Sequence, residues 1–154
     1  MTARDMVANG KRPLVLNFAN GTEVGGGFLR GARAQEETFC YASTLYSTLI
    51  GDPFYRYNLE HAYTAGTDYA MLSRVVVFKD DRYTAIEKLW EMDVLTAAAL
   101  IANVKWSGVS QSVSATLMDK RIASVLDVAI AYGYTDLVLG AWDCGAFGND
   151  PLII

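Results

Sequence analysis

The stretch NFANGTEVGGGFLRGARAQEE, Asn17–Glu37, decides the fold. It starts inside LVLNFA, Leu14–Ala19, a nearly continuous apolar run that suits a strand covered on both faces. Five glycines then fall between Gly21 and Gly31, too many for any regular element, so this segment is a loop. Behind it, Gln35 to Ile50 contains neither proline nor glycine. Phe39, Ala42, Tyr46, Leu49 and Ile50 recur there at steps of three and four, which predicts one helix ended by Gly51-Asp52-Pro53. A buried strand, a glycine loop at its carboxyl end and a helix opening on two carboxylates form the arrangement in which open α/β sheets take their ligands.

Working outward, Val75–Lys79 and Met92–Ala97 read as further strands, with a turn at Asp80-Asp81. Phe54 to Tyr69 lacks a clear period and reads as loop with one helical turn at most. Ser107 to Ser114 is small and polar, a second loop. Leu117 to Tyr132 carries Ile122, Val125, Leu126 and Ala129 on one face and predicts a helix capped by Gly133. Thr135 to Ala141 reads as a last buried strand. After it, GAWDCGAFGND, Gly140 to Asp150, repeats the strand-then-glycine-loop arrangement, and consecutive backbone N–H groups in such a loop make an anion-binding concavity. Strands alternating with helices predict an α/β fold, with helices on both faces of the sheet.

The chain has 154 residues, the size of one domain, and no linker or repeat divides it. At 52% hydrophobic and 19% charged residues it can fill a core. Thirteen basic against seventeen acidic side chains give a net charge of −4, so no global field draws it to nucleic acid. Two cysteines, Cys40 and Cys144, form neither a CxxC pair nor a disulfide framework, and with the single His61 they make no zinc site; no metal and no cofactor are expected. Met1 to Pro13 lacks the apolar core of a secretory signal, and Val94 to Val104 is too short to span a bilayer. A cytoplasmic protein without a membrane anchor is expected.

Gly25-Gly26-Gly27 is followed, after seven residues, by Gln35-Glu36-Glu37. With LSRVVVFKDD (Leu72–Asp81), MDVLTAAA (Met92–Ala99) and VLGAWDCGAFGNDP (Val138–Pro151), this pattern resembles the bacterial-type poly(ADP-ribose) glycohydrolases over most of the chain. The resemblance implies a single macrodomain-like catalytic domain over residues 1–154, a mixed sheet sandwiched between helices, that releases ADP-ribose from poly(ADP-ribose). It implies Glu37 as the catalytic acid and Glu36 as the holder of hydroxyls on the ribose being cleaved. Asn20, Gly25, Gly26, Gly27 and Gln35 would meet the substrate on one side. Gly145, Ala146, Phe147, Gly148 and Asn149 would wrap its diphosphate, Phe147 packing on the ligand. The chain departs from the family in lacking a helical segment before the first strand and a helix after Pro151, which would leave a sheet edge free for self-association. It also departs in carrying Asp143 where glycine is more usual.

The residue types suit that chemistry. Cleaving a ribose–ribose bond needs a proton for the leaving oxygen and stabilisation of an oxocarbenium-like sugar, which a carboxyl group supplies. Burial, a neighbouring carboxylate and a ligand diphosphate push such a pKa up, while the helix N-terminus opposes them. Two other readings stay open at this level: a module that holds ADP-ribose without cleaving it, and a hydrolase that removes single ADP-ribose units. The residue-level alternatives are plainer. Acidic residues in a helix's first turn commonly serve the macrodipole, and Arg30 and Arg33 read by default as solvated loop charges.

Overall fold

The computed structural model describes residues 2–61, 67–98, 100 and 111–142. Among them the elements run α1 (Ala3–Ala8), β1 (Leu14–Ala19), α2 (Gln35–Ala42), α3 (Leu45–Leu49), α4 (Pro53–His61), β2 (Ala70–Lys79), β3 (Ala85–Ala98), α5 (Gln111–Ala131) and β4 (Leu137–Val138). The four strands form one sheet in the order β2-β3-β1-β4. β1 is parallel to β3, Leu14 facing Asp93 through Ala19 facing Ala98, and parallel to β4; β2 is antiparallel to β3. The sheet is therefore mixed, and helices cover both faces.

Alternation along β1 divides the core in two. Val15 and Ala19 pack with Cys40, Leu45, Leu49, Phe54 and Tyr55 from α2, α3 and α4, while Leu14 and Leu16 pack with Met118, Val125 and Ala129 of α5. The period-2 rule puts Asn17 on the α2 face, fully buried in a run that is otherwise apolar.

Several expectations need correction. The helix predicted from Gln35 to Ile50 is two helices, because Ser43 is extended and bridges to Val77 beside it. Thr44 N–H donates to Val76 O at 3.0 Å, and Val76 N–H donates to the Thr44 hydroxyl at 3.0 Å. Residues 43 and 44 leave the helix to pair with an edge strand, which also protects that edge. The stretch that opens at Phe54 holds more than the one helical turn expected, α4 running to His61: Asp52 Oδ1 accepts from Phe54 N–H at 2.8 Å and Pro53 takes the first helical position. The Gly-Asp-Pro sequence thus stops one helix and starts the next. A helix, α1, does stand before β1; Thr2 and Asp5 cap it reciprocally. The long helix starts at Gln111, inside the segment read as a loop, and the last strand is two residues long instead of seven. Gly133, at φ +73°, ends α5 as expected.

Candidate active site

β1 delivers the chain to the carboxyl edge of the sheet at Asn20, and α2 returns there with Glu36 and Glu37 in its first turn, both buried, at 3% and 7% exposure. Each carboxylate is held at both oxygens. Glu36 Oε2 accepts from Asn20 N–H at 2.8 Å and Oε1 from the Asn17 amide at 3.3 Å. Glu37 Oε1 accepts from Gly27 N–H at 2.7 Å and Oε2 from Ala34 N–H at 2.9 Å. Ala34 has no side-chain acceptor, so Glu37 supplies the only side-chain half of a capping box there.

The glycine loop lies directly on this pair. A Cβ on Gly26, at φ +57°, would stand 2.5 Å from Glu37 Oε1 and 3.0 Å from Glu36 Oε2; only a residue without one fits. The α4 helix supports the loop from behind: Gly25 N–H donates to the Tyr55 hydroxyl at 3.5 Å. Burial, and after it the Glu36 charge, pushes the Tyr55 phenol well above its ordinary range, so it stays protonated. Cys40, beneath the same loop, is pushed up to about 12, first by burial and then by Glu36 and Glu37. It is a neutral packing group.

Residues 1–80 match the family described as microbial-type PARG, catalytic domain. The chain belongs to that family. Solved structures of family proteins agree over nearly its whole length. Poly(ADP-ribose) glycohydrolase from Thermomonospora curvata superposes with a TM-score of 0.91 at 36% identity, over 98% of this chain and 56% of that one. The same protein bound to the inhibitor ADP-HPD gives 0.90 at 36%, over 97% and 57%. The Deinococcus radiodurans enzyme in complex with ADP-ribose gives 0.90 at 36%, over 98% and 62%. This chain therefore spans under two thirds of the length of these PARG structures. Comparison with curated proteins gives no match.

Within this PARG-type scaffold the structure brings together Asn20, Gly25, Gly26, Gly27, Gln35, Glu36 and Glu37. Asn20 Oδ1 accepts from Thr22 and Glu23 N–H, both at 2.9 Å, and so shapes the start of the loop. Both ends of the Gln35 amide engage β1: its Oε1 accepts from Phe18 N–H at 2.8 Å and its Nε2 donates to Leu16 O at 2.7 Å. These backbone groups face the side that β4 covers only at Leu14 and Val15, so Gln35 continues the hydrogen bonding where β4 stops. Gly145, Ala146, Phe147, Gly148 and Asn149, with Asp143 and Cys144, lie outside the described residues. Asn17 escaped the sequence reading as a site residue, although a polar side chain in the middle of an apolar strand was its signal. It donates to Glu36 and to Thr96 Oγ1, both at 3.3 Å, while its Oδ1 has no hydrogen-bond partner among the described residues. Tyr55 carried no such signal, because it lies in the segment read as loop. His61 is exposed at the end of α4, stacked on Tyr57 with ring centroids 4.0 Å apart. No helix among the described residues is long and apolar enough to cross a membrane.

Proposed function

We propose that this chain hydrolyses the ribose–ribose O-glycosidic bond of poly(ADP-ribose) and releases ADP-ribose, with Glu37 as general acid and base. The observation that carries this reading is the contact of Gly26 with both carboxylates: the backbone that a nucleotide can approach closely is the backbone that positions the acid pair. The ADP-ribose and ADP-HPD complexes of the D. radiodurans and T. curvata enzymes support the ligand class.

In this mechanism Glu37 gives a proton to the departing oxygen, the anomeric carbon takes on oxocarbenium character, and Glu37 then accepts a proton from the water that attacks it. Glu36 is fixed by Asn20 and Asn17 and accepts hydrogen bonds from ribose hydroxyls. Asn20 and the three glycines give the ribose and phosphate a close backbone surface. Gln35 acts through its hold on β1, which sets where the first turn of α2 stands. The segment from Gly145 to Asn149 completes the cradle around the diphosphate.

Incubation of the purified protein with poly(ADP-ribose) should release ADP-ribose. Glu37→Gln should lower turnover by about 10²- to 10⁴-fold, the usual worth of a positioned acid or base, while ADP-ribose still binds. Polymer left intact by excess wild-type protein would refute hydrolysis. One observation favours a second reading, a binder that does not cleave: both Glu37 oxygens already hold the chain's own N–H groups. Tight ADP-ribose binding by calorimetry together with intact polymer would select it.

A further inference from the structure

The loop between the glycines and α2 carries two arginines, and the structure separates them. Arg30 is bound at both ends of its fork by Glu23, one bond measuring 2.7 Å. Arg33 is exposed and makes no ion pair with an acidic residue among the described residues; its guanidinium stands 6.0 Å from the centre of the Tyr83 ring. Tyr83 sits at the tip of the β2–β3 hairpin. At φ +61° it is the one non-glycine residue with positive φ among the described residues, a conformation that a tyrosine rarely holds without a reason in its surroundings.

Its contacts point to the catalytic helix. Tyr83 OH is 3.3 Å from Thr38 Oγ1, Thr38 donates to Ala34 O at 2.8 Å, and Ala34 N–H donates to Glu37 at 2.9 Å. The Tyr83 ring meets Tyr41 edge-on at 5.8 Å. The pair therefore stands one residue from the acid's own cap. Asp80, in the same turn, folds its carboxylate onto the N–H groups of Arg82 and Thr84. A cation and an aromatic ring are thus presented together beside the first turn of α2, which carries Glu37.

We propose that Arg33 and Tyr83 form a subsite for the leaving side of the polymer, taking the adenosine and diphosphate of the neighbouring ADP-ribose unit. This rests on the glycohydrolase reading. In the ribose–ribose bond the departing oxygen belongs to the ribose of an adenosine, so a base and a diphosphate necessarily lie just across the scissile bond from the bound unit. Guanidinium groups suit phosphate oxygens, and an aromatic ring takes a base by stacking. The hairpin also belongs to the β2–β3 side of the sheet, whereas the segment expected to hold the bound unit's own diphosphate follows β4 at the opposite edge.

The test uses the full chain in a Glu37→Gln background, so that polymer affinity is read without cleavage. Arg33→Gln and Tyr83→Gly are each expected to weaken polymer binding about tenfold, the scale of a lost stacking or phosphate contact, and to leave the Kd for ADP-ribose within about twofold. Tyr83→Gly accepts the positive φ but gives up the Thr38 and Tyr41 contacts, so an unchanged circular-dichroism spectrum and ADP-ribose Kd, and not its melting temperature, show that its fold is intact. Unchanged polymer affinity in both variants overturns the subsite. So does an equal loss of ADP-ribose affinity, which would place the pair on the bound unit. Polyadenylate competing as well as the polymer, with that competition lost in Arg33→Gln, also overturns it, since the patch would then take phosphate backbones in general. If ADP-ribose fails to bind even with Arg33 and Tyr83 intact, the functional reading itself falls.

Discussion

At the scale of single residues, the site is built by withholding atoms as much as by placing them. Gly26 carries no Cβ, and that gap lets a backbone turn lie on two carboxylates. Cys40 lies just below and shows what the burial does to an ionisable neighbour. Its thiol is raised from the usual 9.0 to about 12, so at pH 8 roughly one molecule in ten thousand carries a thiolate. Alkylation of the native protein at pH 8, followed by peptide mapping, should leave Cys40 unmodified until denaturant is added. The sign of the linked stability follows. A folded pKa above the unfolded one gives stability that is complete below about pH 9 and declines as pH rises toward about 12. Each unit across that window costs about 1.4 kcal/mol, and in urea titrations Cys40→Ala should flatten that part of the decline. Asn17 and Glu37 differ in how far the sequence exposed them. The glutamate stood in a recognisable triplet, whereas the asparagine showed its role only when β1 and α2 were brought side by side.

At the scale of elements, what could be read depended on whether the cause was local. β1 was legible because a six-residue apolar run with one asparagine has few other solutions, and α5 because its stripe persists for turns. The break between α2 and α3 was not, since Ser43 and Thr44 leave the helix for bonds to Val76 and Val77, more than thirty residues away. The start of α4 was present in the sequence, as Asp52-Pro53, but that pair also serves as a stop, and the stop reading hid the start. The two-residue β4 reflects a substitution of a different kind, a side chain doing the work of a strand. Gln35→Ala removes the donor for Leu16 O and the acceptor for Phe18 N–H, both beside the core. It should cost about 1 to 3 kcal/mol in chemical denaturation and reduce turnover as the first turn of α2 loosens.

At the scale of the whole molecule, the two ends of the sheet are specialised. The carboxyl ends of β1 and β3 carry the glycine loop and the acid pair. The opposite end carries an ionic knot: buried Asp93 accepts from Arg12 Nε at 2.6 Å and lies 3.7 Å from Arg74, while Arg12 also donates to Tyr134 OH at 3.1 Å. Asp93 pairs with Leu14, six residues before Asn20, which puts the knot about 20 Å from Asn20 along the strand. Asp93→Asn should lower stability, chiefly through the part-buried bond to Arg12, and leave ADP-ribose affinity as it was. Thermal denaturation with and without ADP-ribose checks both halves: the melting temperature falls, and the shift produced by the ligand persists.

The contact at Gly26 has a consequence for how such a chain can vary. Any replacement there adds an atom where two carboxylate oxygens already stand, so the acid pair must shift to admit it. On the glycohydrolase reading proposed above, a lineage changed at this point would lose its chemistry before its fold, leaving a scaffold open to recruitment as a reader of ADP-ribose.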